Sequence, residues 1–197
     1  MSSVSSVDQT LVHFVLTRNL AQETVRYCAL LTLLLAGACG RPAPETAPTS
    51  EGGVPLRDGT GRNVGMVALR QRGDRVEVSV RVNGLPPGTH AVHLHEIGRC
   101  QPPAFQSAGP DLNPGGTKRH GHRHPQGHHT GDLGNLTLGP DGKGEHTVAI
   151  TNPRAAGGLA MLLGGLGRSL VIHANPDDEL SQPDGKSGPR IACAELR

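Results

Sequence analysis

An all-β fold, a Greek-key barrel or sandwich of about eight short strands with long metal-binding loops, follows from three features of this 197-residue chain. Aromatic side chains are almost absent, with no Trp, one Tyr and two Phe, so a core must be assembled from Val, Leu, Ile and Ala. Gly (28) and Pro (16) are abundant, and the tight turns they permit suit many short strands better than a few long helices. The third feature is period-two alternation, clearest in Arg75-Val76-Glu77-Val78-Ser79-Val80-Arg81-Val82, where every second residue is apolar.

Residues 1–39 lack that pattern. Arg26 precedes a short apolar run, Tyr27 to Ala36, and then Gly37-Ala38-Cys39, the layout of a secretory signal whose apolar stretch is too short to span a bilayer. Two processing readings stand side by side. Leu35-Ala36-Gly37-Ala38-Cys39 matches a lipoprotein box with Cys39 as the lipidated first residue, and Ala36-Gly37-Ala38 equally suits ordinary cleavage. Met1 to Thr24 is long for the segment ahead of such a signal, as a misassigned start would make it. Residues 40–53, rich in Pro, Ala, Thr, Ser and Gly, read as a flexible tether, and 54–197 as the folded domain. The expected location is therefore the periplasm or cell envelope, with a membrane reached only through an N-terminal lipid.

Within the domain, Val64–Leu69 and Arg75–Val82 form a hairpin across Gln71-Arg72-Gly73-Asp74. Asn83 to Gly88 is a turn leading into Ala91-Val92-His93-Leu94-His95-Glu96. A long irregular stretch, Gly98 to Gly131, holds five histidines and is read as a loop clamped by metal, since unstructured loops of that length are uncommon in compact domains. Asp132–Leu138 and Gly144–Thr151 make a second hairpin. Leu159–Leu163, Ser169–His173 and Arg190–Ala194 complete the count of seven or eight strands.

The chemistry is concentrated in the histidines. Successive side chains on a strand point to opposite faces, so His93 and His95 project from one face with Leu94 behind them. Downstream lie His120, His129 and Asp132, then His173 at the end of Leu170-Val171-Ile172. Imidazoles suit copper and zinc, and a mixed imidazole and carboxylate set suits zinc, which makes two neighbouring sites plausible. His90 falls on the opposite strand face and is read as structural. His122, His124 and His128 read as solvated loop residues; His13 lies in the signal and His146 on an ordinary strand.

Cysteine usage fits export. Cys28 leaves with the signal, Cys39 takes lipid or is a lone terminal thiol, and Cys100 and Cys193 remain, read as a disulfide closing a long loop with two separate buried thiols as the alternative. A formal charge of +2, with no basic patch interleaved with aromatics, argues against a nucleic-acid partner.

From about Val54 onward the chain resembles the copper/zinc superoxide dismutases, particularly their bacterial exported branch. The resemblance is carried by His93-Leu94-His95-Glu96-x-Gly98-x-Cys100, Ser107-Ala108-Gly109-Pro110-x-Leu112-Asn113-Pro114 and His120-Gly121. It continues in Gly127-His128-His129-Thr130-Gly131-Asp132-Leu133-x-Asn135, His173-Ala174 with Asp177-Asp178, and Gly188-Pro189-Arg190-Ile191-Ala192-Cys193. Carried over residue by residue, it implies copper on His93, His95 and His173 and zinc on His120, His129 and Asp132. It further implies a disulfide between Cys100 and Cys193, an anion-guiding Arg190, and Asp177 linking the two metal sites through their histidines. Superoxide is the implied substrate, and the chain is expected as a monomer or homodimer.

One position departs from the family. Where the family carries a histidine whose imidazolate bridges copper and zinc, this chain has Asp111. Its carboxylate suits zinc, so Asp111 either completes the zinc set or faces solvent, and its shorter reach leads us to expect the bridge to be lost. Dismutation is then expected to persist in weakened form. The alternative function is an exported, non-catalytic protein that stores or buffers copper and zinc.

Overall fold

The computed structural model describes residues 53–116, 118–151 and 158–197. Residues 1–52, which hold the expected signal and nearly all of the expected tether with Cys28 and Cys39, lie outside the described residues.

Eight strands make one antiparallel sheet: β1 (Val54–Asp58), β2 (Asn63–Arg72), β3 (Arg75–Asn83), β4 (Gly88–His95), β5 (Asp132–Leu138), β6 (Lys143–Ile150), β7 (Arg168–His173) and β8 (Arg190–Leu196). Their spatial order is β5-β4-β7-β8-β1-β2-β3-β6, with crossovers between β3 and β4 and between β6 and β7. The edge strands β5 and β6 are joined by their own hairpin, and His146 Nε2 on β6 lies 2.7 Å from the carbonyl of Leu133 on β5. The result is a nearly closed Greek-key barrel, as the sequence predicts.

Alternation explains the interior. Val76, Val78, Val80 and Val82 of β3 point inward and are buried, while Arg75, Arg81 and Asn83 face water. They join Val64, Val67 and Leu69 of β2, Leu94 of β4 and Leu170 and Ile172 of β7 in the main core. Almost the whole of this core is aliphatic, which is what the composition demands. A second, smaller cluster of Phe105, Ala108, Val171 and Cys193 lies on the outer face of β7 and β8, under the start of the long loop.

Two elements differ from the sequence reading. Val54–Asp58 is a strand, unrecognised because Pro55 interrupts a short and mixed run; the proline is tolerated because Val54 to Leu56 pairs only with β2, and β8 joins at Arg57. Leu159–Leu163, counted among the strands, lies largely in a single helical turn, α1 (Gly158–Leu162). Here Leu159 and Leu162, three apart, share the face turned to the core, and Gln71 Oε1 on β2 accepts the Leu159 N–H at 2.7 Å. A side chain distant in sequence thus supplies the helix end its acceptor.

Candidate metal centre

The pairing of β4 with β7 builds the first half of the centre. Register sets Val92 opposite Ile172, His93 opposite Val171 and His95 opposite Ser169, so His173, two residues beyond Val171, emerges on the same face as His93. A register shift between Ile172 and His173 and another between Ala91 and His93 loosen the ladder at this point. Ring centroids lie 4.9 Å apart for His93 and His173, 5.7 Å for His95 and His173 and 6.4 Å for His93 and His95. One nitrogen from each of the three falls within 4.8 Å of the others, and all three rings are buried.

Hydrogen bonds select which nitrogen faces inward. His95 Nδ1 lies 2.8 Å from the Gly109 carbonyl and His173 Nδ1 lies 3.0 Å from the Gly188 carbonyl. A carbonyl only accepts, so each Nδ1 carries the proton and each Nε2 presents a lone pair; the two Nε2 atoms stand 3.4 Å apart. His93 is turned the other way, its Nε2 donating to Asp177 Oδ2 at 2.9 Å, which leaves Nδ1 as the free lone pair. Three lone pairs converging in a buried space want a cation.

The second half is built by the long loop. Its chain returns alongside the end of β4, with the N–H of Leu112 donating to Leu94 and that of Leu94 to Gly131. This lays Asp111 directly against His95. Gly131 makes the approach possible, because a Cβ there would stand 2.3 Å from the Leu94 oxygen. His120 donates from Nε2 to Asp177 Oδ1 at 2.9 Å, so its Nδ1 faces the centre, 2.9 Å from Asp132 Oδ1. The other oxygen of Asp132 accepts the N–H groups of Gly121 at 2.8 Å and His129 at 2.9 Å. His129 Nδ1 lies 3.4 Å from Asp132 Oδ1.

His93, Asp111, His120 and Asp132 form a second group whose ligand atoms all lie within 4.8 Å of one another, with His129 at its outer side. His93 Nδ1, Asp111 Oδ2, His120 Nδ1, His129 Nδ1 and Asp132 Oδ1 are buried without an aligned hydrogen-bond partner among the described residues, although they crowd together. A tetrahedral ion bound at about 2.0–2.1 Å spaces its ligand atoms by roughly 3.3–3.4 Å. The observed separations of 2.9, 3.3, 3.4 and 3.8 Å around the loop end bracket that value. The residues present therefore fit a pair of metal ions.

Charge differs between the two ends. Burial pushes His95 down to about 3 and His173 to about 4, so both are neutral at pH 7. Burial also opposes a charge on His120 and His129, but Asp111 and Asp132 outweigh it at both, with Asp177 adding at His120; without metal these rings rise to about 12 and about 9. The three carboxylates resist burial in the same way. Imidazoles opposite them hold Asp111, Asp132 and Asp177 well below the usual carboxylate range.

Arg190 faces the strand-borne end. Its guanidinium donates to the Phe105 and Gly109 carbonyls, both at 2.7 Å, and the Gly109 oxygen is the one that also holds His95. A cleft of about 530 Å³ is lined by His95, Asp111, His173 and Arg190, so a small solute reaches the imidazoles past a fixed cation. The loop itself is pinned by the Cys100–Cys193 disulfide, with Cα atoms 5.8 Å apart, the pairing that the cysteine reading expects.

Seven of the side chains singled out in the sequence as ligands, His93, His95, His173, Asp111, His120, His129 and Asp132, thus meet in one buried centre, and Asp177 joins its halves. His90 is held by contacts of 2.9 Å to the His173 and Pro86 carbonyls, away from the centre. His122 and His128 pack ring against ring at 4.0 Å in the loop. Three contributors were given no role from sequence, although Asn135 stands in one of the blocks that carry the resemblance. Asn135 clasps the backbone of Asp177 in both directions, Gln182 does the same for His120, and Gly185 lies where a Cβ would stand 1.9 Å from Asp177 Oδ1. An amide or a glycine in a loop carries no local mark of such a role.

An antiparallel barrel that brings two adjoining sets of imidazoles and carboxylates beneath a long, disulfide-pinned loop defines a class, the β-barrel metalloproteins with a binuclear site. The family model for copper/zinc superoxide dismutase (SODC) matches residues 63–196, and the chain belongs to that family. Copper and zinc are the family's cofactors. A Cu-Zn superoxide dismutase of Caulobacter vibrioides is 38% identical over 146 residues, covering 72% of this chain and 83% of that protein. The superoxide dismutase-like protein YojM of Bacillus subtilis is 35% identical over 184 residues, covering 85% of this chain and 92% of its own length. Among solved structures, a SOD-like protein from Bacillus subtilis superposes with a TM-score of 0.66 at 35% identity, covering 73% of this chain and 97% of that one. The Cu/Zn superoxide dismutase from Brucella abortus gives 0.60 at 28%, with 73% and 97% covered.

Proposed function

We propose that this chain is an exported superoxide dismutase, with copper on His93, His95 and His173 and zinc on His120, His129, Asp132 and Asp111. When bound, copper supplies the one-electron chemistry that oxidises one superoxide to oxygen and reduces the next to hydrogen peroxide. Everything else falls to the protein. Gly109 and Gly188 fix the tautomers of His95 and His173, and Asp177 does so for His93 and His120, so the donor atoms are aimed before any ion arrives. Among the described residues Arg190 commits two N–H groups to carbonyls, and its remaining N–H groups can attract and hydrogen-bond a small anion.

The observation that carries this reading is the shared Gly109 oxygen, which ties the guanidinium to a copper-side imidazole at the wall of an accessible cleft. It is tested by the rate of superoxide decay with the copper- and zinc-loaded protein, in which Arg190→Ala is expected to lower the rate by roughly tenfold or more. A loaded protein that leaves superoxide untouched would favour a metal-storage role. That second reading draws on Asp111, and on the similarity to a relative named only as dismutase-like.

The proposal extends to the termini. Residues 1–39 direct export, Cys39 receives lipid, 40–53 tether the domain, and 54–197 work as a monomer or homodimer at the cell envelope. The mass of the mature N-terminal peptide tests lipidation directly, since a lipid on Cys39 adds a diacylglycerol-sized increment and ordinary cleavage adds none.

A further inference from the structure

The two oxygens of Asp111 face different ends of the centre. Oδ1 lies 3.5 Å from His93 Nδ1 and 3.4 Å from His95 Nε2, both donors of the copper set. Oδ2 lies 3.3 Å from His120 Nδ1 and 3.8 Å from His129 Nδ1, both donors of the zinc set. These are the separations expected between ligands that share one ion, roughly 3.3–3.4 Å for tetrahedral coordination. The side chain is buried, and Oδ2 has no hydrogen-bond partner among the described residues. A carboxylate that merely completed the zinc site would have no need to aim its second oxygen at two imidazoles of the other.

We propose that the carboxylate of Asp111 is a bidentate bridge, Oδ1 to copper and Oδ2 to zinc. This rests on the metal assignment proposed above and reverses the expectation from sequence that loss of the bridging imidazole breaks the link. The short side chain reaches because the loop is laid against β4. Asp111 pairs with His95 as an isolated bridge, and the Leu112 and Gly131 contacts with Leu94 draw its backbone close to both metal sets. Backbone approach thus makes up for the length that an imidazole would supply. The bridge also differs chemically: a carboxylate is a much weaker base than an imidazolate, so it takes up a proton far less readily.

The test loads the full chain with Cu(II) at the copper set and Co(II) in place of zinc, and reads the copper electron-paramagnetic resonance spectrum and the cobalt visible bands separately. Asp111→Ala is expected to shift both spectra from their wild-type form, because each ion loses an oxygen. Asp111→Asn, which keeps the shape but only one oxygen, is expected to shift one ion's spectrum and spare the other, and it serves as the working variant if the alanine protein does not fold. A change confined to cobalt in Asp111→Ala, or neither spectrum changing, overturns the bridge while leaving the dismutase reading intact. Failure of the wild-type chain to bind copper at all overturns both.

Discussion

The two ends of the centre are built by different means. His93, His95 and His173 stand on neighbouring antiparallel strands, so the pleat and register that form the barrel also bring their rings together. His120, His129 and Asp111 are brought to Asp132, the first residue of β5, by a loop that has no ladder of its own over most of its length and is held by side chains: Asp177, Gln182 and the disulfide. The strand end is pre-formed, and burial keeps His95 and His173 neutral at pH 7. The loop end stores opposed charges that a metal must displace. Rigid scaffolding suits an ion whose oxidation state changes, and loop construction suits one whose role is to hold charge and geometry.

Removing a strand ligand should have the largest effect and separate the two ends most cleanly. His173→Ala is expected to abolish stable copper binding and dismutation while zinc uptake by calorimetry stays near wild type; equal loss of zinc would mean that the ends do not assemble independently. Next in size is the pin between loop and barrel. Opening the disulfide with Cys193→Ser releases a closed loop with a sequence separation of 93, and stability should fall by roughly 4 to 5 kcal/mol in the chain-entropy model. Chemical denaturation checks this, and the same protein should lose the zinc end before the copper end.

Asp177, like Asp111, touches both ends, and it does so from behind the rings, through His93 and His120. Asp177→Asn keeps the shape but weakens the acceptor for His93 and His120, and affinity should drop about 10–100-fold for both metals. A drop for zinc alone would show that β4 fixes His93 without help. Gly185→Ala is a subtler version, because its Cβ would stand 1.9 Å from Asp177 Oδ1 and 2.7 Å from His120 Nε2, so that the ring it meets first belongs to the zinc set. Zinc affinity is therefore expected to fall more than copper affinity in competition titrations.

The smallest effect is protonic. In the metal-free protein at pH 7, His120 and His129, raised to about 12 and about 9, carry protons that zinc must expel, whereas His95 and His173, at about 3 and about 4, have none to give. Calorimetry in buffers of different ionisation heat should show about two protons released per zinc and fewer per copper. The same shifts act on stability without metal. The raised pair contributes fully below about 6.5, and the share of His129 is lost as pH climbs through about 9 and that of His120 through about 12, while the depressed pair contributes above about 6.5 and is lost as pH falls through 4 and 3. A metal-free domain equally stable at pH 4 and pH 7 would contradict the charge difference between the ends.

Much of the fold could be read in advance because it is periodic. Alternation in β3, the two hairpins and the apolar end of β7 each have a pattern inside one short window, and His-x-His inherits its shared face from the same period. Val54–Asp58 was not legible, since only pairing with β2 makes a strand of it, and α1 owes its form to Gln71. In the loop the ligand identities were readable from residue type and resemblance, but not their geometry. Asn135, Gln182 and Gly185 act through contacts 42, 62 and 8 residues away in sequence, and no local signal encodes such contacts.

By itself, the sequence determined an aliphatic all-β core, a disulfide pair, and a set of imidazoles and carboxylates suited to copper and zinc, because composition and period act residue by residue. Only the tertiary structure decided which nitrogen each ring presents, where Arg190 is anchored, and that the two oxygens of Asp111 look toward different ligand sets. Those outcomes depend on distances between backbone segments far apart along the chain, and such distances exist only once the barrel has closed and the loop has been laid upon it.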